Sequence, residues 1–214
     1  PNVKVIRAEQ SDTSSERSYS FISQPYRTTE LSFRVGGPVY TFDTQSGQFF
    51  RKGELIAAID DRDFLIRKQR AEAIYKQTEA DYKRISNLYE KGSISGTSYE
   101  KAKADYEKAK ADYTTSVNEL KDTKLYAPFD GYIQKVNIER YQDIKASVPV
   151  VTFIDLSRIK VEAYIPEDMA INARKQSALP CSITFNAIQE KTFIPEKTYI
   201  TQSASDNNIS YLFT

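Results

Sequence analysis

Carboxylates are the first residues to weigh. Asp60-Asp61-Arg62-Asp63 places three acids within four positions, close enough to suggest a cation site. The same acids have a simpler use if a helix begins there: Asp60 or Asp61 caps it, and Asp63 sits near its positive end. Asp155 and the pair Glu167-Asp168 fall at the edges of predicted elements. The lysines from Lys101 to Lys110 alternate with Asp105, Glu107 and Asp112. That pattern reads as a solvated, salt-bridged face and not as a nucleic-acid stripe. Cys181 alternates with Ile183 and Phe185 in Cys-Ser-Ile-Thr-Phe, which predicts a buried strand position rather than a reactive thiol.

The composition narrows the chemistry further. The 214 residues contain 30 basic and 29 acidic side chains, one cysteine, no histidine and no tryptophan. Without histidine the chain lacks the commonest general acid–base and metal ligand. One cysteine excludes an intrachain disulfide and any multi-cysteine zinc or iron–sulfur site. A net charge of +1 gives no global pull toward nucleic acid. These residues point to no catalytic group, no metal and no cofactor. Apolar residues at 40% and charged ones at 28% fit an elongated chain with much solvated surface. No apolar run is long enough to cross a bilayer as a helix. The sequence begins at Pro1 without methionine or signal, so processing or truncation upstream is expected.

The strongest periodic signal lies in the middle. Lys-Ala-Lys-Ala-Asp-Tyr occurs at 101–106 and again at 108–113, and Ala-Asp-Tyr also stands at 80–82. Tyrosines recur every seven residues on both sides of a break: Tyr75, Tyr82 and Tyr89, then Tyr99, Tyr106 and Tyr113. A second position interleaves with each set: Phe64, Ala71, Thr78 and Ile85, then Ala102, Ala109 and Ser116. Alternating steps of three and four make a coiled-coil seam. Residues 61–122 contain no proline and are rich in Lys, Glu, Ala and Gln. Two antiparallel helices of about 28 residues follow, each roughly 40 Å long. Gly92 is placed to end the first. The second starts at Ser95, or at Thr97 with Glu100 completing a capping box. The joining turn runs from Lys91 to Gly96. Small Ala and Ser opposite tyrosine allow close packing, with each ring buried and its hydroxyl at the rim.

On either side the sequence changes character. Residues 31–59 read as short strands with turns at Gly36-Gly37-Pro38, Ser46-Gly47 and Lys52-Gly53, and residues 124–156 repeat that character. The two halves are expected to pair as one small β module split by the hairpin, because either half alone has little core. Beyond Leu156, Arg158–Tyr164, Cys181–Phe185, Thr192–Ile200 and Ile209–Phe213 read as strands. Pro166-Glu167-Asp168 reads as a short helix start. Arg17–Pro25 is strand-like and could join a small barrel with them. Val3–Ile6 has strand composition and no evident partner.

In this order of modules the chain resembles the periplasmic adaptor family, the membrane fusion proteins of bacterial tripartite efflux pumps. The resemblance runs from about Arg17 to the end. It is carried by Leu31-Ser32-Phe33-Arg34-Val35-Gly36-Gly37, by the glycine-spaced half-motif from Gly47 to Ala57, and by the return segment Leu125-Tyr126-Ala127-Pro128-Phe129-Asp130-Gly131. Val161-Glu162-Ala163-Tyr164-Ile165-Pro166-Glu167 adds to it. In the second half-motif Tyr141 and Ser147 stand where the family has glycines, so those turns either differ or bear strain.

The resemblance implies a mixed α and β, elongated, modular chain. Residues 29–60 and 123–156 would form a lipoyl-like β-sandwich, split by the α-helical hairpin of 61–122. Residues 13–28 and 157–214 would form an adaptor β-barrel, whole or truncated. Residues 1–12 would be a remnant strand of a mostly missing membrane-proximal domain. It further implies that the hairpin tip docks onto an outer-membrane channel protein through Arg84, Leu88, Ile94 and Ser95. The bland alternative makes Arg84 a solvated charge, Leu88 and Ile94 hairpin closers, and Ser95 a cap. Carrier enzymes of lipoyl-like fold present a lysine on the turn joining the two halves; the hairpin occupies that place here. The implied role is non-enzymatic: bridging an inner-membrane efflux transporter and the channel, with self-association into a conduit, a hexamer being one arrangement. The short hairpin favours a resistance-nodulation-division pump over a type I secretion or ABC-type exporter, and a biotinyl or lipoyl carrier is the competing class. The implied location is the periplasm of a Gram-negative bacterium, with membrane contact only through an N-terminal lipid or helix upstream of Pro1.

Overall fold

The computed structural model describes residues 17–165, 181–186, 188–196, 198, 200–205 and 208–213. Val3–Ile6 and Pro166-Glu167-Asp168, expected to be a strand and a helix start, lie outside the described residues. Among the described residues the fold is mixed α and β with two helices, and the chain divides into two compact units.

The larger unit is Pro25–Arg158. Its strands are β2 (Gly37–Thr41), β3 (Phe49–Phe50), β4 (Leu55–Ile59), β5 (Lys124–Tyr126), β6 (Gly131–Val136) and β7 (Asp143–Ile144), with parts of β1 (Phe21–Ser32) and β8 (Pro149–Ile165). Helices α1 (Arg62–Glu90) and α2 (Gly96–Asp122) stand between β4 and β5. One antiparallel sheet has the order β5-β4-β2-β7; in another, β3 pairs with β6 and β6 with β8. β6 alternates buried and exposed residues, as a half-buried strand does, whereas Ile56–Ile59 of β4 and Val150–Val151 of β8 are buried in succession. The inward residues form one core in which Phe33, Val39, Ile133, Val150, Val151 and Phe153 are fully buried. Phe64 of α1 belongs to the same core, so the base of the helix pair is anchored by apolar burial.

The two halves of this unit bond alike, 94 residues apart. Gly47 and Gly53 donate their N–H groups to the carbonyls of Ile133 and Ala127, at 2.7 and 2.8 Å. Tyr141 and Ser147 donate in the same way to Val39 and Phe33, at 3.0 and 2.8 Å. The Gln48 side chain accepts from the Gln45 N–H, and the Gln142 side chain accepts from the Glu139 N–H. Gly47 and Gly53 have φ of +86°, and Tyr141 and Ser147 have φ of 68° and 66°. The turns are therefore conserved in geometry, and the second half bears the strain of placing side chains in the left-handed region. Gly131 answers a different need. A Cβ there would stand 2.3 Å from the Ile154 carbonyl oxygen, so β6 approaches β8 closely only because the side chain is missing.

The smaller unit is made from chain up to Gln24 and from Ile159 onward. It contains β9 (Ile183–Phe185), β10 (Ile188–Phe193), β11 (Ile200–Ser205) and β12 (Asn208–Phe213), with the first residues of β1 and the last of β8. β9 pairs antiparallel with β10, β11 with β12, and β12 with β8. Phe185 meets Phe21 and Phe193 edge-on, at 5.2 and 5.6 Å between ring centroids.

Several boundaries differ from the sequence expectations. Thr192–Ile200 is not one strand: β10 ends at Phe193 and β11 begins at Ile200, with Pro195 between them, which cannot donate to a ladder. The segments ending at Ile154 and beginning at Arg158 are one continuous strand, β8. Asp155 therefore lies inside a strand and not at an edge; it is buried and accepts from the Ser157 N–H at 2.9 Å. The Ser157 hydrogen bonds, aided by Arg27 and Arg158, hold its carboxyl below the usual range. Cys181 precedes β9 and is half-buried, and burial pushes its thiol pKa up.

Candidate functional site

The hairpin is the part of the larger unit that carries its exposed chemistry, and its geometry follows from its sequence. The tyrosines meet across the helix pair as one ladder. Tyr75 stacks on Tyr113 and Tyr106 at 5.5 and 5.8 Å; Tyr82 packs on Tyr106 and Tyr99 at 5.2 and 5.9 Å; Tyr89 stacks on Tyr99 at 4.7 Å. The helices run antiparallel, since low numbers in α1 meet high numbers in α2. Ala109 and Ser116 are buried between them, and the Ser116 hydroxyl donates back to the Tyr113 carbonyl at 2.7 Å. The Tyr82 and Tyr99 hydroxyls are hydrogen-bonded at 3.2 Å. Hydrogen bonding to Tyr106, with partial burial, pushes the Tyr75 phenol up to about 12, and the bond to Tyr82 raises Tyr99.

Charges decorate α1 rather than the lysine-rich repeat. Glu72 pairs with Lys76 at 2.8 Å and Lys68 at 3.4 Å, which lowers its pKa, and Lys83 pairs with Glu79. Arg67 reaches across to Glu119 at 3.6 Å. Among the described residues, Lys101 to Lys110 form no ion pair with Asp105, Glu107 or Asp112, contrary to the salt-bridged face expected there. Spacing is not the cause, because Lys101 and Asp105, Lys103 and Glu107, and Lys108 and Asp112 each stand four apart as the α1 pairs do; these exposed side chains simply do not close on one another.

At the base, Asp61 is the N-cap of α1 without a side-chain bond, and Asp60 does the capping chemistry. Its carboxylate accepts the Arg62 backbone N–H at 3.1 Å and the Arg62 guanidinium at 2.9 Å, and those bonds lower its pKa. Among the described residues no cluster of acids, cysteines or histidines has the arrangement of a metal site.

At the far end, Lys91 is the C-cap of α1 and Gly92 follows at φ +68°. Gly92 and Ser93 donate to the carbonyls of Tyr89 and Leu88, both at 2.9 Å, the paired bonds of a Schellman stop. Ser95 caps α2: its Oγ accepts the Ser98 N–H at 3.2 Å and lies 3.0 Å from the Ser98 hydroxyl. The Thr97–Glu100 capping box is not used, because the helix is capped two residues earlier, at Ser95.

Arg84, Leu88, Ile94 and Ser95 all lie on the last two turns of α1 or in the loop that follows. Leu88 is 37% exposed, a large apolar side chain with little of its own chain to cover it, and Ile94 is half-buried. Arg84 is 69% exposed and bonded to Asp81 one turn back. That partner is a residue the sequence reading passed over, although an acid three positions before an arginine is a recognisable helix pair. The arrangement offers a cation held in place by its own acid, two apolar side chains and a loop whose Ser95 and Ser98 hydroxyls are engaged with each other at the α2 cap.

No family model matches the chain. In sequence it is 24% identical over 194 residues to the nodulation protein NolF of Rhizobium meliloti, covering 84% of this chain and 52% of that one. It spans about half the length, or less, of the curated relatives it matches. Among solved structures it is similar to a protein assigned as an efflux transporter from Bacteroides eggerthii, at 26% identity and a TM-score of 0.71. That match covers 94% of this chain and 66% of that one. A MacA–MexA chimeric protein containing the Pseudomonas aeruginosa MexA α-hairpin domain matches at 19% identity and TM-score 0.73, covering 92% and 74%. The membrane fusion protein Spr0693 of Streptococcus pneumoniae matches at 12% identity and TM-score 0.68, covering 90% and 89%. The order of motifs and the fold lead to one family, and the chain's resemblance to the membrane fusion proteins, or periplasmic adaptors, is borne out.

Proposed function

We propose that the chain is the adaptor part of an efflux assembly, bridging an inner-membrane transporter and an outer-membrane channel in the periplasm, and that it is not an enzyme. In this reading Pro25–Arg158 contains a lipoyl-like sandwich split by a coiled-coil hairpin with a tyrosine seam, and the strands of the smaller unit belong to an adaptor barrel. The observation that carries the reading is the hairpin: helices of 29 and 27 residues leave one β core and return to it, ending in an exposed cationic and apolar tip. Support comes from the Bacteroides structure assigned as an efflux transporter and from the chimera bearing a MexA hairpin, both matched over more than nine-tenths of this chain. Against a biotinyl or lipoyl carrier stands the join between the two halves, which the hairpin fills, leaving no tight turn to present a lysine. Among the described residues no helix is long and apolar enough to cross a membrane.

The tip residues make the reading testable. Arg84 supplies a rigid fork of donors for carbonyls or carboxylates on a channel, and Leu88 and Ile94 supply apolar area that a partner would cover. Arg84→Asp and Leu88→Asp, placed in the full-length protein in cells lacking their own adaptor, are expected to lose resistance to pump substrates at unchanged protein level. Full complementation by both variants would sink tip docking. A covalent mass adduct on any lysine after expression with a biotin or lipoate ligase would instead establish the carrier reading.

A further inference from the structure

The tyrosine ladder has chemistry that docking does not use. The chain holds 15 tyrosines but no tryptophan, one methionine and one cysteine. An electron hole formed on it therefore finds phenols as its main sink. Six of those phenols are gathered in contact order Tyr113, Tyr75, Tyr106, Tyr82, Tyr99, Tyr89, with successive centroids 5.5, 5.8, 5.2, 5.9 and 4.7 Å apart. All are within the range of direct ring contact, so a radical on one rung can exchange an electron with the next. Tyr89, 44% exposed, is a rung open to solvent.

One rung is set for bond formation. The Tyr82 and Tyr99 oxygens are 3.2 Å apart and the rings are tilted by 39°. The ortho carbons of a phenol flank the carbon that bears the hydroxyl. Two oxygens at hydrogen-bond distance therefore bring the ortho edges of both rings together, as in an ortho–ortho biphenol. Tyr89 and Tyr99 are nearer by centroid, but at 15° between planes they present faces, not edges.

We propose that Tyr82 and Tyr99 are an oxidative cross-linking site, fed by the ladder, that forms a dityrosine joining α1 to α2. Each phenol gives one electron to a one-electron oxidant, two equivalents in all, and releases its hydroxyl proton to water. The two phenoxyl radicals couple through a carbon–carbon bond between ortho carbons. The hydrogens on those carbons then shift to the oxygens, so two phenols are restored and the net loss is two electrons and two protons. The inference stands on the hairpin alone and is independent of the adaptor reading.

Brief oxidation of the full chain with photogenerated tris(bipyridine)ruthenium(III), with persulfate as terminal electron acceptor, tests it. The expected result is dityrosine fluorescence in a product that remains monomeric on a denaturing gel, with the Tyr82–Tyr99 linked peptide dominant by mass spectrometry. Tyr82→Phe and Tyr99→Phe keep the ring and are expected to lose that peptide. Tyr40→Phe and Tyr141→Phe, at phenols 67% and 70% exposed, are expected to keep it. Oxidation in denaturant, which destroys the pairing without changing the sequence, is also expected to lose it. Dityrosine mapped mainly to exposed phenols, linkage only between molecules, or equal yield of the linked peptide in denaturant would overturn the proposal.

Discussion

At Ser147 the backbone holds φ of 66° with an exposed serine, and at Tyr141 it holds 68° with an exposed tyrosine. Left-handed backbone in a residue with a Cβ costs on the order of 1–3 kcal/mol, and glycine avoids that cost while losing more freedom on folding. Ser147→Gly is therefore expected to stabilise the larger unit by about 0.5–1 kcal/mol net, read as a higher denaturation midpoint at unchanged slope. Tyr141→Gly is expected to gain less, since the Arg140 guanidinium stacks 5.0 Å from the Tyr141 ring and that contact would be lost. A lower midpoint for Ser147→Gly would show that its side chain contributes to the turn. The departure from glycine was legible in the sequence at both positions. Which way it resolved was not, because only the hydrogen bonds to Phe33 and Val39 show that the turn geometry is kept.

The hairpin is held by interactions that titrate together. The phenol of Tyr75 is raised to about 12 by hydrogen bonding to Tyr106 and by burial, and Tyr99 is raised by Tyr82. Unfolded phenols titrate near 10. A group whose folded pKa lies above its unfolded value stabilises fully below the unfolded pKa and loses that contribution as pH rises through the folded one. The helix pair should therefore keep its melting temperature up to about pH 10 and lose it progressively toward pH 12, followed by far-UV circular dichroism. The Lys76 pKa is also raised, by its hydrogen bond to Glu72, and contributes a loss of the same sign at high pH, so Tyr75→Phe separates the two. Part of the decline should disappear in that variant, and an unchanged pH profile would assign the effect to the lysine. The seven-residue spacing of tyrosine and small residue was enough to read two long helices and their break. The smaller unit was less legible: short strands with one or two apolar positions do not reveal where Pro195 separates them or that β8 runs unbroken past Asp155. At the tip, Ser95 is legible as a cap from its residue type, whereas the Arg84–Asp81 pair is legible only from the three-residue spacing of an acid and a base on one helix face.

Near-neutral charge and two long helices rooted in one β core are the molecule's largest-scale features. They suit a part whose work is to hold other parts at a set distance. If the proposed bridging role is right, the length of the hairpin is itself a functional quantity, and it can be changed without touching the tip or the β core. Deleting 69–75 from α1 and 107–113 from α2 removes one heptad from each helix and one tyrosine from each side, and keeps the Arg84–Asp81 pair. The seven-residue spacing stays intact, because Tyr82 moves into the place of Tyr75 and Tyr106 into that of Tyr113. Each helix shortens by roughly 10 Å. Phe64 and its core neighbours are unaffected, as are Arg84, Leu88, Ile94 and Ser95. The shortened protein is expected to fold, with helical signal reduced in proportion to the residues removed, yet to fail to restore efflux in cells lacking their own adaptor. Removing the heptad from α1 alone is expected to cost stability as well, since every tyrosine then faces the wrong partner. If the symmetric deletion restores full efflux, the hairpin is not a spacer of defined length, and docking must depend on the tip alone.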